Sequence, residues 1–101
     1  MSPRTLNIIS RLFHKNSHQQ VIDLLQKECG DEQLRTNGSE AGLERIHFAV
    51  LKLSEGNIEK LKHEINEAMI DWRDVLMAAD FGTDVNAHVK WYEELRRNER
   101  H

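Results

Sequence analysis

Three short stretches of this sequence carry residue types at spacings that could do chemistry. Residues 80–82 are Asp-Phe-Gly, the tripeptide with which protein kinases hold magnesium. His63 opens the stretch HEINE, which begins like the zinc-protease motif H-E-x-x-H. Glu44 and His47 have the Glu-x-x-His spacing of di-iron helical bundles. Each of these motifs is functional only together with further residues, so the presence or absence of those residues shows whether the motif indicates a site.

The further residues that these patterns need are missing from the sequence. A kinase also requires a glycine-rich loop, a strand lysine and an H-R-D loop, and this chain is too short to hold them. The zinc motif needs a second histidine at the position that Glu67 occupies, and a di-iron site needs a second Glu-x-x-His. The motifs G-x-S-x-G and C-x-x-C are also absent. We therefore predict no catalytic residue, no metal ligand and no cofactor.

The stretch DWRD at 71–74 has a structural and a functional interpretation. Asp71 directly precedes a helical run and Asp74 follows three residues later, which is a capping-box arrangement with aspartate in place of glutamate. Trp72 lies on the apolar face of that helix and is predicted to anchor it in the core, while Arg73 and Met77 face outward. In the functional interpretation, Arg73 pairs with a carboxylate of a partner. We favour the structural one.

The tripeptide at 80–82 is explained locally as the end of the same helix. Asp80 is predicted to be its last residue, and Phe81 to fold back onto the core. Gly82 is predicted to supply the positive φ angle at which many helices stop.

Composition indicates a single domain of 101 residues, with 39% hydrophobic and 31% charged residues. The single cysteine, Cys29, cannot form an internal disulfide, and neither a membrane-spanning apolar run nor a signal-peptide core is present. We therefore expect a cytoplasmic protein. Residues 1–22 carry a charge of +3 and the rest of the chain −6, for a net −3. Three cations on a first helix are a weak basic face, so nucleic-acid binding is disfavoured.

The spacing of apolar residues predicts an all-α fold, an irregular or orthogonal bundle of five to six helices. The first helix begins at Ser2 and Pro3, and the second begins at Ser17, with Gln20 completing a capping box, and ends at Gly30. A central antiparallel hairpin at about 40–53 and 57–70, a short helix from Trp72 and a last helix from about 84 to 97 follow. Within one domain at 1–101, we assign the N-terminal helices and a flexible loop to 1–38, the helical core to 39–97 and a frayed tail to 98–101.

The third helix is apolar on two sides. At roughly 100° per residue, Phe48 lies opposite the main apolar stripe and Leu51 lies well off it. Either this helix is central and covered on both faces, or its second face meets another subunit. In the second case Phe48 and Leu51 are dimer contacts.

The run ERIHFAVLKLSEGNIEKLKHEI, followed by DWRDVLMAADFG and HVKWYEE, resembles a group of small bacterial α-helical proteins of unknown function. The resemblance covers roughly residues 43–94 and is most specific in LKLSEGN and DWRDVLMAA. It implies a bacterial helical domain and carries over no activity and no site.

The leading hypothesis for function is a non-enzymatic protein-interaction or structural module, with a homodimer as one form. Its partner would be another protein or a second copy of the chain. The surface predicted for this role consists of Phe48, Leu51, Arg73, Met77 and Trp91.

The alternative hypothesis is a small ligand-binding protein or enzyme. It would have a pocket near Trp72, Arg73, His47 and His88, and it requires that some of these side chains converge on one concave site.

Overall fold

The computed structural model describes residues 1–30, 40–82 and 84–98, and in these ranges the chain forms five α-helices and no strand. The helices are α1 (Pro3–Leu12), α2 (His18–Glu28), α3 (Glu40–Ser54), α4 (Ile58–Ala78) and α5 (Ala87–Asn98), with a 3₁₀ turn at Lys15–Ser17. The radius of gyration of 12.4 Å is that of a compact chain of this length. The prediction of an all-α bundle is confirmed. The predicted loop at 31–38 and residues 99–101 of the predicted tail at 98–101 lie outside the described residues, while Asn98 is the last residue of α5.

The α3–α4 hairpin is the centre of the bundle. Only Glu55, Gly56 and Asn57 separate the two helices, and a connection this short folds α4 back along α3. Residues 46–51 are buried without interruption, so this part of α3 is covered on every side. Phe48 and Leu51 are each 0% exposed. The second apolar face of α3 is therefore covered by other helices of the same chain, as expected for a central helix. Phe48 and Leu51 offer no surface to a partner.

The predicted start of α1 is confirmed, and the predicted cap of α2 is wrong. Ser2 caps α1 by accepting a hydrogen bond from the Thr5 amide at 3.1 Å, with Pro3 at the first helical position. Ser17 stands at the start of α2 but makes no capping hydrogen bond with its side chain. The reason is local, because Ser17 belongs to the 3₁₀ turn and has helical rather than extended dihedral angles, φ −100° and ψ −7°.

A kink divides α4 at Asp71. This residue has extended dihedral angles, φ −156° and ψ 101°, inside an otherwise helical span. Its carboxylate accepts a hydrogen bond from the Arg73 amide at 3.0 Å, so Asp71 caps the segment 72–78 as predicted. Asp74 makes no hydrogen bond within the described residues. The predicted capping box therefore has the bond to Asp71 but lacks the reciprocal bond to Asp74. The short helix predicted from Trp72 is thus the second segment of α4.

The predicted glycine stop of this helix is wrong, because the left-handed residue is Asp80. Asp80 has φ 65°, whereas Gly82 has no positive φ. The Phe81 amide donates to the Leu76 carbonyl at 2.8 Å, and the Asp80 amide donates to the Met77 carbonyl at 3.0 Å. These two bonds are those of a Schellman motif with Asp80 at the position usually taken by glycine. Aspartate is one of the few other residues that tolerate this conformation.

Two cations of α3 hold this chain reversal in place. Arg45 donates from Nη2 to the Phe81 carbonyl at 2.6 Å, and Lys52 donates from Nζ to the Ala79 carbonyl at 2.8 Å. Lys52 also lies 5.1 Å from the centroid of the Phe81 ring. Carbonyls at a helix end lack helical partners and carry partial negative charge, so positive side chains there stabilise the end.

Replacing Asp80 by glycine should stabilise the protein. A non-glycine residue in the left-handed region is strained, and glycine there relieves about 0.5–1 kcal/mol. We expect Asp80→Gly to raise the urea midpoint of unfolding with an unchanged slope. Gly82→Ala is the matched comparison. Its new Cβ would collide with the sulfur and crowd the Cγ atom of the exposed Met77 side chain, which can move aside, and would make an ordinary contact with the Met77 Cα atom. A large loss for Gly82→Ala with no gain for Asp80→Gly would place the left-handed stop at Gly82 after all.

The α3–α4 connector depends on Gly56. Glu55 and Gly56 both have positive φ angles, 52° and 78°. A Cβ atom on Gly56 would also collide with the backbone carbonyl of Leu12, at the end of α1. This close approach lets α1 pack against the turn, and only glycine permits it.

Gly56→Ala should therefore lower the free energy of unfolding by more than the strain of placing alanine at a positive φ angle. We expect a loss of about 2 kcal/mol or more, from the dihedral strain of about 1–2 kcal/mol and from displacement of the Leu12 carbonyl. Glu55→Gly is the control, since it has the same backbone region but a side chain exposed to solvent. It should leave the urea midpoint unchanged or raise it slightly. Equal and small effects of both changes would show that the contact with Leu12 is unimportant.

Candidate functional site

Polar side chains from three helices meet at Glu44. Arg4 of α1 donates to both carboxylate oxygens, from Nε at 3.3 Å and from Nη2 at 2.6 Å. His88 of α5 places its Nε2 atom 3.5 Å from the same carboxylate. The Glu44 side chain is only 12% exposed. A single carboxylate of α3 therefore joins α1 and α5.

The carboxyl of Glu44 is held in its charged form. Burial opposes the charge, but hydrogen bonds from Ser2 and Arg4, and the charges of Arg4 and His88, together lower the pKa of Glu44 below its ordinary value. The two-pronged contact with Arg4 is the geometry in which guanidinium and carboxylate interact most strongly. The site thus carries one firmly ionised acid whose charge is balanced within the protein.

His88 is the buried member of this group. Its ring lies against Phe48 and Phe81, with centroid distances of 5.2 and 6.3 Å. Its Nδ1 atom is buried without a hydrogen-bond partner among the described residues. Burial lowers the pKa of His88, aided by Arg45 and Arg4, and the Glu44 carboxylate only partly offsets this. The imidazole is consequently held neutral at neutral pH.

His47 lies one turn beyond Glu44 on α3 and faces the end of α2. Its Nε2 atom is 2.7 Å from the Cys29 carbonyl oxygen. Burial lowers the pKa of His47, and the amino group of Met1 lowers it further, against the opposing influence of the Cys29 carbonyl and Glu44. His47 is therefore also neutral at neutral pH.

A cleft opens beside these groups, between the beginning of α1 and α3. Its volume is about 510 Å³. Small-molecule sites commonly have volumes of roughly 300–1,000 Å³. The cleft is lined by Met1, Ser2, Pro3, Thr5, Leu43, Glu44 and His47. Sequence reasoning singled out Glu44 and His47 as the spacing of a metal motif, and His47 also as a member of the alternative pocket. Within the described residues no group of three or more acidic, cysteine or histidine side chains is arranged to hold a metal ion.

Of the five residues predicted to form an interaction surface, Arg73 and Met77 lie at the surface. Their side chains are 75% and 60% exposed, respectively. Trp91 is half-buried and packs against the rings of Phe48 and Phe81, with centroid distances of 6.2 and 6.0 Å. Trp91 is therefore mainly a core contact, as Phe48 is. Arg73 and Met77 are the two that a partner could reach.

The residues of the alternative pocket do not converge. His47 lines the cleft described above. His88 is not part of the cleft lining, and its Nε2 atom faces the Glu44 carboxylate. Arg73 instead folds over the Trp72 ring at 5.9 Å and interacts with Asp71. Neither Arg73 nor Trp72 is part of the cleft lining.

Arg4 and its role were missed by sequence reasoning. Positions 4, 44 and 88 are far apart in the chain, and no short motif links them. The one signal in the sequence was the position of Arg4. This cation lies in the first turn of a helix that contains no acidic residue with which it could pair.

No protein-family model, curated protein or solved structure matches this chain. The resemblance to small bacterial helical proteins therefore stays a prediction. None of the helices that the structure describes is long and apolar enough to cross a membrane.

The two neutral buried histidines predict a loss of stability in mild acid. The unfolded chain takes up these protons near the ordinary histidine pKa of 6.5, whereas the folded chain takes them up only at lower pH. Stability is therefore full above about pH 6.5 and falls as the pH drops toward the folded pKa values. The slope is at most about 1.4 kcal/mol per pH unit for each histidine.

Urea unfolding at a series of pH values from 7.5 to 5 measures this slope. His88→Gln removes one titrating group but keeps an N–H donor for Glu44, so its stability should fall less steeply over this interval. If the stability of the wild-type protein and of His88→Gln fell equally steeply with pH, His88 would have the same pKa in the folded and the unfolded chain, contrary to the prediction.

Proposed function

We propose that this protein is a non-enzymatic interaction module that forms a homodimer through the outer face of the second segment of α4. The inner face of that segment carries the buried residues Val75, Leu76 and Ala79. Arg73, Asp74 and Met77 lie on the other side and are exposed. These three residues, with Ile70 before the kink, are called the α4 outer face below.

The position of Ile70 on this face follows from the register of α4. Buried side chains recur at Leu61, Ile65 and Ala68 before Asp71 and at Val75 and Leu76 after it, and these spacings fit one continuous helical stripe. The kink therefore changes the direction of the helix more than it rotates its faces. Ile70, Asp74 and Met77 then have the i, i+4, i+7 spacing of a single face.

The observation that carries the proposal is that this face is complementary to itself. Ile70 and Met77 are 74% and 60% exposed, and they flank a cation and an anion, Arg73 and Asp74. In a two-fold dimer the same patch meets itself, so each Arg73 would face the other copy's Asp74. Asp74 has no competing partner within the described residues, whereas Arg73 would exchange its exposed contact with Asp71 for the one across the interface.

The size of the face sets the expected strength. Stable interfaces bury about 800 Å² on each partner, more than four side chains supply. The proposal is therefore a weak, concentration-dependent dimer, in which the methionine adapts its shape to its counterpart. Charge pairing then chiefly fixes the register of the two copies.

Sedimentation equilibrium at protein concentrations up to about 1 mM tests this dimer. The average mass of the wild-type protein should rise with concentration above 11.8 kDa. Met77→Asp should keep the protein monomeric, because it replaces an apolar contact of the face with a charge that loses its hydration in the interface. The control is Val85→Asp, which changes an apolar residue that is 68% exposed and lies outside the α4 outer face.

Charge exchange gives a sharper test of the register. Arg73→Asp and Asp74→Arg should each weaken the dimer, since each leaves two like charges facing each other. The double variant restores opposite charges and should recover association. A wild-type protein that stays monomeric throughout, or a double variant no better than either single one, would contradict the proposal.

A further inference from the structure

We propose that the cleft between the beginning of α1 and α3 binds a small neutral molecule that presents an N–H or O–H donor on an apolar ring. The acceptor for that donor is the Nδ1 atom of His47. This site is separate from the α4 outer face and does not depend on the proposed dimer.

The tautomer of His47 follows from its one hydrogen bond. A carbonyl oxygen can only accept, so the 2.7 Å contact with Cys29 requires that Nε2 carry the proton. Because burial keeps the ring neutral, Nδ1 then has a free lone pair. His47 is thus fixed as an acceptor on its other side.

That lone pair belongs to a residue of the cleft wall. His47 is only 5% exposed. No group in the described residues bonds to Nδ1, yet this atom does not belong to the fully buried polar atoms that lack a partner. A buried ring with one accessible, unpaired acceptor is suited to receive a single donor from a ligand.

The charges around the cleft select a neutral ligand. Glu44 is ionised, but Arg4 already binds both of its oxygens, so this pair leaves no net charge for a ligand to balance. A charged ligand would lose its hydration in the cleft without gaining a free ion-pair partner. A neutral donor satisfies His47 at no such electrostatic cost.

The remaining walls favour a flat apolar body. Pro3, Leu43 and Met1 line the cleft with apolar atoms, and its volume of about 510 Å³ accommodates a single ring. Ring N–H compounds and phenols combine one donor with such a body. They are the ligand class that this geometry fits.

The test uses two matched pairs of probes, pyrazole with 1-methylpyrazole and phenol with anisole. Within each pair, methylation removes the donor and adds one methyl group, which on its own would favour binding to an apolar cleft. Histidine side-chain ¹⁵N resonances of the full chain are followed by NMR during titration. Pyrazole and phenol should shift the Nδ1 resonance of His47 and bind about threefold to tenfold more tightly than their methylated partners.

Leu43→Trp serves as the blocking variant, because Leu43 is only half-buried and a larger side chain there fills the cleft without opening the core. It should abolish the shifts while the other amide resonances keep their dispersion. Equal binding of the methylated probes, shifts that survive Leu43→Trp, or no shift at His47 would each overturn the proposal.

Discussion

The burial of α3 on every side is the constraint on which the rest of the fold depends. A helix whose residues 46–51 are all inaccessible cannot be covered by one neighbour, so α1, α4 and α5 must each take a different side of it. The short connector fixes α4, and the approach of Gly56 to Leu12 fixes where α1 ends against it. A helix that is buried on all sides also lets a chain of 101 residues remove a large apolar area from water.

Polar contacts then determine how the outer helices sit on α3. Glu44 joins Arg4 and His88, so α1 and α5 are positioned by one carboxylate. Arg45 and Lys52 act on another side of α3, where they hold the carbonyls that end α4. Apolar packing is not directional, whereas these bonds require particular atoms to meet. They therefore give specificity to an arrangement that hydrophobic burial alone would leave loosely defined.

Local features were predictable from the sequence where one residue type has one dominant physical role. Pro3 after Ser2 marked a helix start, Asp71 marked a cap, and the apolar spacing gave the α3–α4 hairpin. Prediction failed where two residues could fill the same role. Both Asp80 and Gly82 could end α4, and glycine has the stronger preference, but the buried position of Phe81 fixes the reversal two residues earlier. The cap predicted at Ser17 failed for a different reason, because Ser17 is part of the 3₁₀ turn and takes its backbone angles from that turn.

The Glu44 cluster could not be found from the sequence, because it depends on how three helices are packed and on no local pattern. Its member His88 also has an unfavourable feature, its unpaired Nδ1 atom. A buried imidazole with an unpaired nitrogen is less favourable than an apolar side chain of similar shape would be at that position. His47 resembles it in burial and neutrality but differs in that it lines a cleft. His88 of α5 thus has an unpaired nitrogen that is enclosed in the core, whereas His47 of α3 has an unpaired nitrogen on a residue of the cleft wall. That difference makes His47 the place on the described surface where a small molecule would add a hydrogen bond that the chain itself leaves unmade.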